Sequence, residues 1–333
     1  MTAVESSVVH PLDPLGAAEI ERAAELVLAC DGLGSRPRIV WVVLEEPAKE
    51  ELALWEPGSG LARRAQVSVL DRDSAVVHEV IVDLTAEVVE SVDVVPGRHA
   101  SILFEEWQDA ARVLDDERVV AALARRGVTD TSTVEVEPWP AGYLDTELDR
   151  SGRRLARCVF FVRAEDGDTD WARPIDQLVV VADRGTAEVL AIEEGETLVV
   201  PDDPGRLDPE ANGSRDDLRA LHITQPDGPS FALDGNELRW QRWRMRIGMH
   251  PIDGLVLHQV GYDDPTTGRP RSILHRASLA ELAVPSGEPS PSNHGRHVYD
   301  AGEVGMGKNA ASLTLGCDCL GEIRYLDAHM AEP

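Results

Sequence analysis

A chain of 333 residues is long enough for two or three domains with separate cores, and its 43% apolar content is that of a globular protein. The apolar residues are dispersed, with no run near the roughly 18 that a membrane helix needs. Sixty acidic against 32 basic residues give a net charge of −28, which repels nucleic-acid phosphates and anionic lipid surfaces, so neither nucleic acid nor membrane is expected as a partner.

The same charge mildly favours the approach of cationic small molecules such as amines, although acidic surfaces also serve simply to keep proteins dissolved. Met1 to Val9 carries Glu5 and has neither the basic start nor the apolar core of a secretory signal, so a cytoplasmic location is expected. The four cysteines, Cys30, Cys158, Cys317 and Cys319, are too few for a disulfide framework. Cys30 and Cys158 fall in apolar patterns and read as core. Cys317 and Cys319 have a spacing that suits a soft metal, but no second pair stands at zinc-site spacing.

In chain order, Asp13-Pro14 predicts a helix start, and Ile20, Ala24, Val27 and Leu28 then share one helical face through Cys30. Strands are predicted from Arg38 to Leu44, Ala65 to Leu70 and within Val76 to Val95, where Val80, Val82 and Leu84 alternate with polar residues. The order then recurs. Phe104 to Arg126 has a helical pattern, and Thr133 to Glu137, Arg154 to Arg163 and Leu178 to Ile192 are strand-like, with turns at Asp166-Gly167 and Arg184-Gly185. Two α+β units in tandem follow, repeated in element order and length at a spacing of about 90 to 100 residues rather than in residue identity.

Asp202 to Asp217 is dense in turn-forming residues and reads as a linker. Beyond it, Phe231 to Leu233, Glu237 to Ile247, Leu255 to Tyr262 and Ser272 to His275 are predicted strands, with turns at Asp234-Gly235, Asp253-Gly254 and Thr267-Gly268. Meandering strands that stop at Pro333 leave unpaired edges, which predicts a covering partner chain. The expected domains are residues 8–96 and 97–200, a linker at 201–217, and an all-β region at 218–333.

Three patterns have chemical readings that their context weakens. The segment from Gly302 through Gly307 to Lys308 nearly matches a phosphate-binding loop, but Asn309 stands where a hydroxyl should reach magnesium, and strands surround it. His294, His297 and Asp300 are three residues apart, a spacing that gathers ligands only on a helix, and Pro291 and Gly295 oppose one. Trp240, Arg242, Arg244 and Arg246 read as one face of a strand opposite Gln241, Trp243 and Met245, a buried face backed by charges paired to acids rather than a stacking platform for bases.

The text from Val284 to Asp327 bears on function. It includes Val284-Pro-Ser286-Gly-Glu-Pro, Tyr299-Asp300-Ala-Gly302-Glu303 and Ala311-Ser-Leu-Thr-Leu-Gly316-Cys-Asp-Cys319-Leu-Gly321-Glu-Ile323. This is similar to the central signature of the copper-containing primary amine oxidases, in particular the actinobacterial enzymes. Further matches are His10-Pro-Leu-Asp-Pro14, Trp171-Ala-Arg-Pro174, Ile223 to Phe231, Gly254-Leu-Val-Leu-His258 and Arg276 to Glu281.

The resemblance implies an α+β chain: two small tandem cystatin-like domains followed by the first part of a large antiparallel β-sandwich. It implies that a tyrosine-derived topaquinone captures a primary amine, that an aspartate matching Asp300 removes a proton from the carbon next to nitrogen, and that copper and oxygen complete the turnover to aldehyde, ammonia and hydrogen peroxide. Partial burial would suit Asp300 to that task by raising its pKa.

Ser286 stands where the family usually has a tyrosine that hydrogen-bonds the quinone, and Val298 where many bacterial members have an aromatic gate. Trp171 and Pro138-Trp139 match positions that line the substrate channel, where aromatic residues serve either lining or packing. Cys319 matches a cysteine that pairs with a later one, absent from this chain.

The family's quinone precursor follows an asparagine, and none of Tyr143, Tyr262, Tyr299 and Tyr325 does. No His-x-His pair, the family's copper arrangement, occurs either. Topaquinone and copper are therefore expected on a partner chain carrying the C-terminal catalytic half, with no metal ligand on this one. One subunit of a split, heteromeric oxidase is expected, assembled as a dimer of heterodimers. A catalytically degenerate scaffold or binding subunit is the alternative, and the changes at Ser286 and Val298 favour it.

Overall fold

Four antiparallel sheets occur among the residues described by the computed structural model: 10–142, 146–163, 168–169, 171–201, 205–279, 281–283, 287–293, 298–299 and 304–331. The chain divides into two compact units, one made of residues 1–101, 221–281 and 300–333 and the other of 102–220 and 282–299. The fold is α+β in both. Among the described residues no helix is long and apolar enough to cross a membrane.

In the first unit, helix α1 (Ala17–Leu28) buries Ile20, Ala23 and Val27. They pack on a meander of β1 (Pro37–Leu44), β2 (Arg64–Asp71), β3 (Val77–Asp83) and β4 (Val88–Val95), whose inward Ala65, Val67, Val69, Val80 and Val82 complete the core. Glu19 ties down the start of α1: its carboxylate accepts the Gly16 N–H at 2.8 Å and the Arg63 Nε at 2.8 Å. Gly34 must be glycine, because at φ +94° a Cβ would lie 2.2 Å from the Asp71 carboxyl carbon. A six-residue helix, α2 (Lys49–Leu54), follows β1 and has no counterpart in the predicted elements.

The same unit contains a five-stranded antiparallel sheet, ordered β13-β12-β11-β10-β9. Its strands are β9 (Phe231–Asp234), β10 (Glu237–Trp240), β11 (Trp243–His250), β12 (Gly254–Asp264) and β13 (Arg269–Ser278). The stretch from Trp240 to Arg246 is therefore not one strand face. It turns at Gln241-Arg242, with Gln241 at φ +55°, and Trp240 pairs with Trp243 across the hairpin.

In the second unit, α3 (Phe104–Asp109) leads into Ala110, Val113 and α4 (Glu117–Arg125), whose Val119, Ala122 and Leu123 pack on the sheet of β5 (Val134–Pro140), β6 (Leu155–Val162), β7 (Leu178–Asp183) and β8 (Val189–Glu194). The single helix expected over 104–126 is broken. A 3-10 turn fills 110–115, and α4 starts afresh because Asp116 leaves the helical region and accepts the Arg118 N–H at 2.8 Å. β6 is buried along its whole length: Ala156, Cys158, Phe160 and Val162 join the core with α4, and Val159 and Phe161 pack with Val179 and Trp139. A two-stranded pair, β14 (Leu282–Ala283) with β15 (Val298–Tyr299), belongs to this unit.

Candidate functional site

Strand β5 positions two of the residues expected to line a substrate channel. Period-two alternation turns Val134, Val136 and Pro138 to the buried side and Glu135, Glu137 and Trp139 to the other. Trp139 packs on Val159, Phe161 and Val179. Its indole Nε1 donates to Glu137 Oε2 at 2.8 Å, and Trp171 Nε1 donates to the other oxygen, Glu137 Oε1, at 3.0 Å. One carboxylate thus holds two indoles. Trp171 remains 65% exposed, a broad apolar surface that the core does not use. Pro138 does not join this group: it lies on the opposite face, where its carbonyl accepts from Arg184. Sequence reasoning missed Glu137, although its place two residues before Trp139 on a strand puts both on one face.

Ser286 and Asp300, with His294 and His297, lie outside the described residues. Val298 is placed by its backbone, paired with Ala283 in the β14–β15 ladder beside Leu282–Tyr299. The segment leading to it is tied down by Glu288, which accepts from the Ser290 N–H at 3.0 Å and from Asn293 Nδ2 at 2.9 Å, and by Ser292 Oγ, which accepts from the Gln177 N–H at 2.8 Å.

The loop after Gly302 is no phosphate cradle. The N–H groups of Met306 and Lys308 are spent on the carbonyls of Ile252 and Pro251, at 2.8 and 2.9 Å. Gly307 lies so close to the same turn that a Cβ would come within 2.0 Å of the His250 carbonyl oxygen. The Lys308 ammonium donates to the Val40 carbonyl, and burial pulls its pKa down to about 8. Cys317 is exposed and Cys319 half-buried, in a tight loop closed by the Gly316 N–H on the Cys319 carbonyl at 2.7 Å.

Among the described residues no three His, Cys, Asp or Glu side chains are grouped to hold a metal ion. With no His-x-His and no tyrosine after asparagine in the sequence, the donors of this chain do not fit copper or a tyrosine-derived quinone, and no step through either group follows from its residues.

A polar cluster that sequence reasoning also missed joins β12 and β13 to the end of β1 within the first unit. Glu46 Oε1 accepts from His258 Nε2 and Arg276 Nε, both at 2.9 Å. Arg276 reaches on to Asp253 at 2.9 Å, which also accepts from Ser278 Oγ at 2.9 Å. Burial disfavours the charged form of Glu46, but the bonds from His258 and Arg276 outweigh that and hold its pKa down at about 2.

Three segments match described families: residues 16–92 the AGAO-like N2 domain, 103–207 the copper amine oxidase N3 domain, and 232–333 the copper amine oxidase enzyme domain. The chain belongs to the copper amine oxidase family. It is 40% identical over 330 residues to a primary amine oxidase of Arthrobacter sp. (strain P1), a match covering 98% of this chain and 50% of that protein. It is 35% identical over 337 residues to a histamine oxidase of Arthrobacter globiformis, covering 99% of this chain and 48% of the relative. The structure of a copper-containing benzylamine oxidase from Hansenula polymorpha superposes with a TM-score of 0.81 at 24% identity, over 97% of this chain and 53% of that one, a likeness of fold. The chain spans about half the length of the curated relatives it matches.

Proposed function

We propose that this chain works in the oxidative deamination of a primary amine, in which amine, oxygen and water give aldehyde, ammonia and hydrogen peroxide. Asp300 takes a proton from the carbon bearing nitrogen. Trp139 and Trp171, held by Glu137, line part of the approach for the amine, with Ser286 and Val298 shaping the pocket. A second polypeptide carrying the C-terminal catalytic half supplies topaquinone and copper, in a dimer of heterodimers. The observation that carries this reading is the run of three matches, N2, N3 and enzyme domain in order, on a sequence with neither a precursor tyrosine after asparagine nor a His-x-His pair. The pairing of Glu137 with Trp171 supports it: a carboxylate at the N–H edge of an exposed indole suits a cationic substrate.

The test is to co-express the chain with the reading frame adjacent to its own, stain the purified complex for quinone, and follow peroxide release. Asp300→Asn in that complex is expected to slow amine oxidation by about 10²- to 10⁴-fold, the usual contribution of a general base. An unchanged rate assigns the chain to the scaffold reading, and a chain that is folded and monomeric with no quinone-bearing partner removes the split-enzyme reading.

A further inference from the structure

The first unit contains a cationic cavity whose lining includes none of the residues proposed above for amine oxidation. It has a volume of about 340 Å³ and lies between helix α2 and the β11–β13 face. Its floor is a notch in the sheet: Arg244 on β11, Gly261 on β12 and Ser272 on β13 stand in one row by strand register. At the centre of the row there is no side chain, and a Cβ on Gly261 would come 3.0 Å from Arg244 Nε. A β-bulge sits beside the notch, with Gln259 held at φ +49°, a conformation costly for a residue with a side chain. Bulges of this kind re-aim side chains, and Gln259 lines the cavity.

The charges in the cavity do not balance. Arg246 is matched, donating to Asp13 at 2.6 Å and lying 3.5 Å from Glu237, the one carboxylate in the lining. Glu237 is also claimed by Arg239 at 2.6 Å. The side chains of Lys49, from α2, of Arg244 and of His275 have no hydrogen-bonding or ionic partner among the described residues. Arg246 Nε is buried without an acceptor among the described residues. In a chain of net charge −28, two unmatched cations, an imidazole, an amide and a hydroxyl thus converge on one concavity.

We infer that this cavity is a binding site for a small oxyanion, a carboxylate- or phosphate-bearing metabolite, gripped by Arg244 and Lys49 and oriented by Gln259 and Ser272. Guanidinium and ammonium groups left unpaired in a cavity with few competing acids match the fork geometry and charge of such a group. The ligand would clamp α2 to the sheet and so stabilise the first unit. This inference does not rest on the amine-oxidase reading and can fail without it.

The full chain is titrated with sodium phosphate and, separately, with sodium malonate, while ionic strength is held constant with sodium chloride. Thermal unfolding is followed for the wild type, Arg244→Gln and Lys49→Gln. The expected result is a saturable rise in Tm with one of the two anions, half-complete at or below about 1 mM, and an apparent Kd raised at least tenfold in each variant. The preferred anion identifies the head group. A rise that never saturates, or one equal in wild type and both variants, overturns the inference. Both substitutions are at exposed side chains, so folding is checked directly by the unliganded Tm.

Discussion

Glu46 and His258, 212 positions apart in the chain, meet through a 2.9 Å hydrogen bond between Oε1 and Nε2. His258 is 4% exposed, so the bond joins the end of β1 to the interior of β12, and Arg276 shares the same carboxylate oxygen. The polar cluster around Glu46 is thus a fastening between the small α+β layer and the five-stranded sheet of one unit.

That fastening should be acid-labile. The pKa of Glu46 is lowered from its ordinary 4.5 to about 2, so its contribution is complete above pH 4.5 and lost as pH falls toward 2. At pH 7 the contribution is on the order of 2–3 kcal/mol. Urea unfolding of wild type and Glu46→Gln should differ by about that amount at pH 7 and converge near pH 2. A gap independent of pH would show that the carboxylate charge is not what holds the cluster.

In the second unit, Glu106 and Arg154 form a buried two-pronged pair, with Nε to Oε1 at 3.0 Å and a terminal nitrogen to Oε2 at 2.6 Å. Glu106 Oε2 also accepts the Leu103 N–H at 3.0 Å at the start of α3. Glu106→Ala takes both carboxylate oxygens away from a guanidinium that is 6% exposed and should cost about 3–5 kcal/mol. Adding Arg154→Leu should recover part of the loss, as read from urea midpoints of the single and double variants.

The two indoles on Glu137 should separate under mutation. Trp171 is exposed, so Trp171→Ala should leave Tm within about 2 °C of wild type, a surface-substitution effect, and raise KM for the amine more than it lowers kcat. Trp139→Ala removes a ring packed on Val159, Phe161 and Val179 and should cost about 3 kcal/mol. Steady-state kinetics of the proposed quinone-bearing complex, paired with thermal unfolding, checks both. An unchanged KM in Trp171→Ala would remove that residue from the channel.

Cysteine reactivity should follow exposure. Burial pushes the Cys158 thiol up to about 12, while Cys317 is exposed. N-ethylmaleimide at pH 7.5 followed by mass spectrometry should modify Cys317 in the native chain and leave Cys158 untouched until denaturant is added.

Much of the strand pattern was legible because it is written locally. In β1 to β4 and β5 to β8, alternating Val, Ile and Leu bounded by Gly and Asp turns needs only a window of about ten residues to declare itself. Where local cues were weak, the prediction failed. Helix α2 is six residues long, too short for a helical period to show. The hairpin at Gln241-Arg242 has no glycine, proline or asparagine to announce it, and its positive φ at Gln241 is imposed by the pairing on either side. The helical pattern from 104 to 126 was real on both sides of the break, but Asp116 ended one segment and capped the next.

By itself, the sequence determined the α+β class, the tandem order of two small units before an all-β region, the family resemblance through Gly316 to Gly321, and the lack of a tyrosine after asparagine or a His-x-His pair. Each is a property of neighbouring residues. Only the tertiary structure decided that Glu137 holds Trp139 and Trp171 together, that Glu46 meets His258, and that Lys49, Arg244 and Gln259 surround one cavity. Those partners lie up to 212 positions apart, and which side chains meet depends on how helices and sheets pack, through register, bulges and a missing Cβ at Gly261, rather than on any pattern within one segment.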